Sequence, residues 1–199
     1  MTLDRLRPVA ERALDPFVAA ADRVGLSPDG VSVLAFGCAV AAGSVFALGP
    51  SPIYLLAAGL VFTNGWLDLV DGALARARGE ASEGGDLLDH VLDRYADVAL
   101  LVGMAAGLGR YGLGLLAVTG VLLTSYMGTQ IQAVGLGREY GGLLGRADRL
   151  ALVGATGAAT ALYARPIGGF TLLGWALVVL GVVGHLTALQ RFAGAWRDL

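Results

Sequence analysis

The sequence predicts an all-α integral membrane protein: six transmembrane helices preceded by an amino-terminal amphipathic surface helix. Three observations predict it. The chain of 199 residues is 56% apolar and only 15% charged, with a mean hydropathy of +0.68, whereas charged residues make up about a quarter of an ordinary soluble domain. Its apolar residues are gathered into stretches of about 18 to 24, the length that crosses a ~30 Å hydrocarbon core. Its 14 basic residues, all arginines, are distributed unevenly between the connecting segments. A net charge of −2 gives no basic field for nucleic acid, which is not an expected partner. The single Cys38 excludes an internal disulfide and reads as a small core hydrophobe.

Residues 1–30 form the first unit, an amphipathic juxtamembrane segment. Leu3, Leu6, Ala10, Leu14, Phe17, Val18 and Ala21 recur at helical spacing with charged residues between them. Such a helix lies on the membrane surface or packs on the protein itself. The segment is too charged for a cleavable signal peptide. Residues 31–199 form the second unit, a six-helix membrane domain with spans at about 31–48, 51–75, 86–108, 111–134, 149–163 and 170–193. Pro50, Pro52 and Pro166 fall in connections or at helix starts, where a missing amide hydrogen matters little. The 31 glycines spread along the spans suit close helix packing in lipid.

The arginines orient the bundle. Eleven lie in the amino-terminal segment, the second and fourth loops and the tail; the opposite side has only Arg110 and Arg165, and Arg94 lies within a span. That bias places both termini and the second and fourth loops in the cytoplasm of a multi-pass cell-membrane protein.

Asp68, Asp71, Asp89 and Asp93 occupy the end of the second span and the start of the third. One aspartate at the centre of a span costs ~2.5 to 3.5 kcal/mol, so several together need a partner. Nothing nearby is expected to be basic enough to neutralise them. Spacings of three and four put each pair on one helix face, and two helices joined by a short loop converge all four carboxylates. Oxygen ligands without imidazole or thiolate suit two hard dications, Mg2+ or Mn2+, rather than zinc. Paired metals imply a substrate with phosphoryl oxygens. Gly72, Ala75 and Gly85 leave room for a flat base or a diphosphate, or serve as helix-packing contacts. Arg76 contacts phosphate or snorkels to the interface.

The run Asp68, Asp71, Gly72, Ala75, Arg76, Gly85, Asp89, Asp93 matches without departure the signature D-x2-D-G-x2-A-R-x8-G-x3-D-x3-D. In this the chain resembles the CDP-alcohol phosphotransferases. Leu26-Ser-Pro-Asp-Gly-Val-Ser32 also looks like that family's segment before its first span. The resemblance implies transfer of a phosphate-linked lipid, phosphatidyl or archaetidyl, from a CDP-linked lipid donor to a polar alcohol acceptor, with release of CMP. It implies that Asp68, Asp71, Asp89 and Asp93 are metal ligands and that Asp93 also acts as general base. Gly72, Ala75, Arg76 and Gly85 would bind the CDP moiety, and the enzyme would be a homodimer in the lipid bilayer.

Ser125-Tyr-Met-Gly-Thr-Gln130 and the later run to Arg149 look like the acceptor region of the phosphatidylinositol phosphate and archaetidylinositol phosphate synthase branch. Arg138, Arg146 and Arg149 would then clasp an acceptor phosphate such as that of inositol phosphate, since a guanidinium fork matches phosphate geometry. One departure stands out: Gly128, Thr129 and Gln130 replace that branch's basic residues. Glycerol phosphate and serine remain alternative acceptors. Asp97 shares a helix face with the catalytic carboxylates and is expected to pair with Arg94 or a polar group on another helix. A small cation-coupled transporter is the competing class, but it would spread carboxylates along a path across the bilayer.

Overall fold

A computed structural model describes residues 7–50, 52–137 and 144–199, with the side chains of 7–12 left out of the description. Seven α-helices make up these residues: α1 (Arg7–Arg23), α2 (Pro28–Ala47), α3 (Tyr54–Arg78), α4 (Glu83–Leu108), α5 (Tyr111–Ala133), α6 (Arg146–Leu162) and α7 (Leu172–Asp198). Each of α2 to α7 corresponds to one expected span.

Local chemistry sets the ends. Ser27, Ser82 and Thr171 cap α2, α4 and α7, accepting from the amides of Gly30, Gly85 and Gly174 at 3.1, 3.1 and 3.2 Å, which satisfies amides that the helix itself cannot pair. At the other end of α3, Gly79 takes φ +65°, and the Glu80 amide returns to the Ala75 carbonyl at 3.0 Å. This left-handed stop turns the chain directly into the loop before α4. The two carboxylate-bearing helices are thereby returned side by side.

Three helices, Pro28–Ala47, Tyr111–Ala133 and Leu172–Asp198, are long and apolar enough to cross a membrane. Helices α3, α4 and α6 fall short of that measure because they carry the charged residues or, in α6, only 17 residues. α2 packs on both α3 and α4, α5 on α7, and α6 on α3 and α7. Between them lies a core that includes Phe46, Tyr54, Leu100, Met104, Leu173 and Leu177. Small residues let α2 and α4 touch backbone to backbone: a Cβ at Gly103 would overlap the Gly43 carbonyl, and one at Gly43 would overlap that of Ala99.

Helix α1 packs on α3. Leu14 and Ala21 are buried with Val70 and Leu74, Phe17 meets Trp66 edge to face at 5.2 Å, and Asp22 pairs with Arg78 at 2.7 Å. Of the two expectations for this segment, contact with the protein accounts for the described part of its apolar stripe, Leu14, Val18 and Ala21, while Phe17 remains half exposed; Leu3, Leu6 and the Ala10 side chain lie outside the described residues.

Candidate active site

Helix α3 delivers Asp68 and Asp71 from its last turns, and α4 delivers Asp89 and Asp93 from its first. Asp68, Asp71 and Asp89 converge: one oxygen from each lies within 4.8 Å of the others. Asp71 is the most buried of the three, 6% exposed, and its orientation is fixed on both sides. Ser32 Oγ donates to its Oδ2 at 2.7 Å and the Gly72 amide to its Oδ1 at 2.5 Å. The donor set is all oxygen, which suits a hard divalent cation and offers nothing to a soft one.

Asp93 lies outside this trio. Its Oδ1 is 2.7 Å from Arg146 Nη2, and Arg146 Nη1 reaches Asp68 Oδ1 at 2.5 Å, so one guanidinium bridges two of the four signature carboxylates. The expectation that the carboxylates have no basic neighbour is therefore corrected. The partner comes from α6, far along the chain, where sequence proximity cannot reveal it. Arg94 Nη2 then stands between Asp93 Oδ2 (3.6 Å) and Asp97 Oδ2 (3.5 Å), and Asp97 Oδ2 accepts from Arg149 Nη2 at 3.1 Å. Six charges thus alternate in sign through the bundle: Asp68, Arg146, Asp93, Arg94, Asp97, Arg149. Asp97 pairs both with Arg94 and with a second helix, as its position in a span requires.

Two cavities flank these carboxylates. A cavity of about 300 Å³ is lined by Gly72, Ala75, Arg76 and Gly85 together with Asp71 and Asp89. All four residues expected to hold a CDP group therefore share one space beside the carboxylates. Asp29 and Ser32 from the start of α2 line it too. At Gly85 a Cβ would stand 3.4 Å from Asp29 Oδ1, so a side chain there would narrow the space.

The second cavity, about 530 Å³, opens on the other side of Asp93 and is lined by Arg94, Arg146, Arg149 and Arg191, with His90 among its walls. Arg146 and Arg149 were expected here; Arg138 lies outside the described residues. Arg94 and Arg191 were missed, because one reads as an arginine stranded in a span and the other as a topology marker in the tail. Arg191 is steered inward by donating to the Thr124 carbonyl at 2.6 Å. Gly128 and Thr129, which stand where the similar branch has basic residues, face this cavity. The Nε atoms of Arg94, Arg146 and Arg149 are buried with no hydrogen-bond partner among the described residues. Buried donors are ordinarily satisfied, so these three guanidiniums are incompletely paired by the described residues.

Known proteins resemble this chain in sequence and in fold. The profile of the family described as CDP-alcohol phosphatidyltransferase matches residues 25–186. The chain is 32% identical over 203 residues to the archaetidylinositol phosphate synthase of Methanothermobacter thermautotrophicus, covering 99% of this chain and 95% of that one. It is 31% identical over 192 residues to the phosphatidylinositol phosphate synthase of Mycobacteroides abscessus, covering 93% and 84%. Among solved structures, Mycobacterium tuberculosis phosphatidylinositol phosphate synthase in complex with manganese and citrate is similar at TM-score 0.80 and 27% identity, over 92% of this chain and 88% of that one. The same enzyme with CDP-DAG bound is similar at TM-score 0.79 and 28% identity, over 93% and 94%.

Proposed function

Since the chain belongs to the CDP-alcohol phosphatidyltransferase family, we propose that it joins inositol phosphate to a CDP-activated lipid. It is a membrane transferase of phospholipid synthesis: a lipid-phosphate group passes from a CDP-linked donor to an alcohol acceptor, CMP is released, and divalent cations take part. The acceptor's identity rests chiefly on one observation. The cavity beside Asp93 is lined by four arginines, which outnumber the three carboxylates, Asp68, Asp93 and Asp97, that pair with Arg94, Arg146 and Arg149, and such surroundings favour an anionic acceptor. The similar proteins named as inositol phosphate lipid synthases support the same choice. Arg94 and Arg191 supply positive charge from α4 and α7, so the cavity stays basic without the α5 residues replaced by Gly128, Thr129 and Gln130.

In this reading Asp68, Asp71 and Asp89, with Asp93 alongside, hold two dications, magnesium or manganese. Dications held there would supply positive charge against the diphosphate and the departing CMP. Ser32 and the Gly72 amide hold the Asp71 carboxylate in one orientation, so it needs little rearrangement on binding. Gly72, Ala75 and Gly85 give the cytidine diphosphate close approach to α3 and α4, with Arg76 near its phosphates. Arg146, Arg149 and, as the sequence resemblance implies, Arg138 take the acceptor phosphate and bring its hydroxyl to Asp93. Asp93 accepts the hydroxyl proton. The acceptor oxygen bonds to the phosphorus that carries the lipid, and the bond from that phosphorus to the oxygen retained by CMP breaks.

The finer architecture belongs to the same proposal. Residues 1–30 are juxtamembrane, and 31–199 cross the bilayer six times as a homodimer, with termini and active site on the cytoplasmic side. The eleven-to-two arginine bias supports that orientation.

The test is CMP release from CDP-diacylglycerol and CDP-archaeol by the purified protein in lipid vesicles, with inositol phosphate, glycerol phosphate or serine supplied. Turnover is expected with inositol phosphate. Turnover with serine alone, or with glycerol phosphate alone, overturns the acceptor assignment.

A further inference from the structure

Asp97 takes no part in the chemistry above, yet it is buried, 5% exposed, in the middle of a helix bundle. A carboxylate so placed is retained at substantial cost unless it does something for its partners. Its surroundings show what that is. The single oxygen Oδ2 receives Arg149 Nη2 from α6 at 3.1 Å and lies 3.5 Å from Arg94 Nη2 on its own helix. Both arginines line the cavity next to Asp93, and Arg149 is itself only 8% exposed. An arginine side chain has many rotamers, and fixing two of them on one oxygen removes that freedom before a ligand arrives. Arg94 also reaches Asp93 Oδ2 at 3.6 Å, so the same anchor borders the carboxylate that takes the proton.

We propose that Asp97 is a positioning residue: by holding Arg94 and Arg149 on one carboxylate oxygen, it shapes the cavity for a phosphate-bearing acceptor. This rests on the reading of that cavity as the acceptor site. Asp97 does not line the smaller cavity, and it is not one of the converging carboxylates Asp68, Asp71 and Asp89. Its effect should therefore fall on the acceptor and spare the donor. A residue that merely held the bundle together would weaken both.

The experiment measures acceptor KM, kcat and CDP-lipid affinity for wild type, Asp97→Asn and Asp97→Glu in lipid vesicles. Asp97→Asn keeps the shape and removes the charge; the expected result is a rise in acceptor KM of about 10-fold to 100-fold, the scale of a misplaced binding group. CDP-lipid affinity should stay within about twofold, a change too small to mark a lost contact. Asp97→Glu keeps the charge and shifts it by one methylene, so it should raise acceptor KM by less than Asp97→Asn. If Asp97→Asn does not fold, Asp97→Glu carries the comparison alone, with acceptor KM raised and donor affinity unchanged. Acceptor KM at the wild-type value in every folded variant overturns the proposal. A parallel loss of donor and acceptor binding overturns it too, as the mark of a purely structural role. Wild type turning over serine but neither inositol phosphate nor glycerol phosphate would instead overturn the acceptor reading beneath it, and the two failures are told apart by the wild-type assay.

Discussion

At the scale of single residues, the division of labour among four aspartates gives the sharpest expectations. Asp93→Asn should abolish CMP release while CDP-lipid still binds, because the amide cannot accept the acceptor's proton; wild-type turnover in that variant would remove the base from the mechanism. Asp68→Ala and Asp71→Ala should instead lose CDP-lipid binding, and so should the wild type on chelation with EDTA, each read by a direct binding measurement. Arg191→Gln should raise acceptor KM by about tenfold, roughly the 1.4 kcal/mol of one charge-assisted hydrogen bond, with donor affinity unchanged. The acidic residues were legible because they sit within 26 residues of one another at helical spacings. Their arginine partners were not. Arg146, which reaches Asp68 and Asp93, belongs to α6, and spacing along the chain carries no information about which distant helix turns a guanidinium toward Asp93.

At the scale of elements, hydropathy located six of the seven helices to within a few residues, because apolar runs and the glycines and prolines between them are local signals. The exceptions are where charge meets apolar sequence. α3 continues to Arg78, α4 starts at Glu83 and α7 runs on to Asp198, each beyond the span that hydropathy alone delimits. The amphipathic pattern of α1 could not say which apolar surface it covers, since α3 and lipid present similar faces; Val70 and Leu74 supply the answer. The α2–α4 contact makes a prediction of its own. Gly103→Val should force these helices apart and destabilise the protein by about 1 to 3 kcal/mol, the range for overpacking a close contact. The measurement is the thermal midpoint of the protein in detergent, and a midpoint equal to that of wild type would mean the backbones can separate freely.

At the scale of the whole molecule, the chain is arranged so that the chemistry occupies one end of the bundle and the apolar core the rest. Orientation is testable directly. In a Cys38→Ala background, cysteines placed at Glu80 and at Arg110 should react with an impermeant maleimide from opposite sides of sealed vesicles, the former from the cytoplasmic side. Equal labelling from one side would contradict the arginine count. The alternating file of six charges bears on how such a protein is made. Asp97 and Arg149 are separated by 52 residues, so α4 leaves the ribosome well before α6 exists. Until then, among the described residues, Asp93 and Asp97 share only Arg94 as an opposing charge. Under the six-span reading, a nascent chain halted after α5 carries more acid than Arg94 alone offsets, at the cost that ionisable groups bear in lipid. Arrival of α6 with Arg146 and Arg149 removes that cost, so α4 and α6 should settle into the bilayer together rather than one after the other.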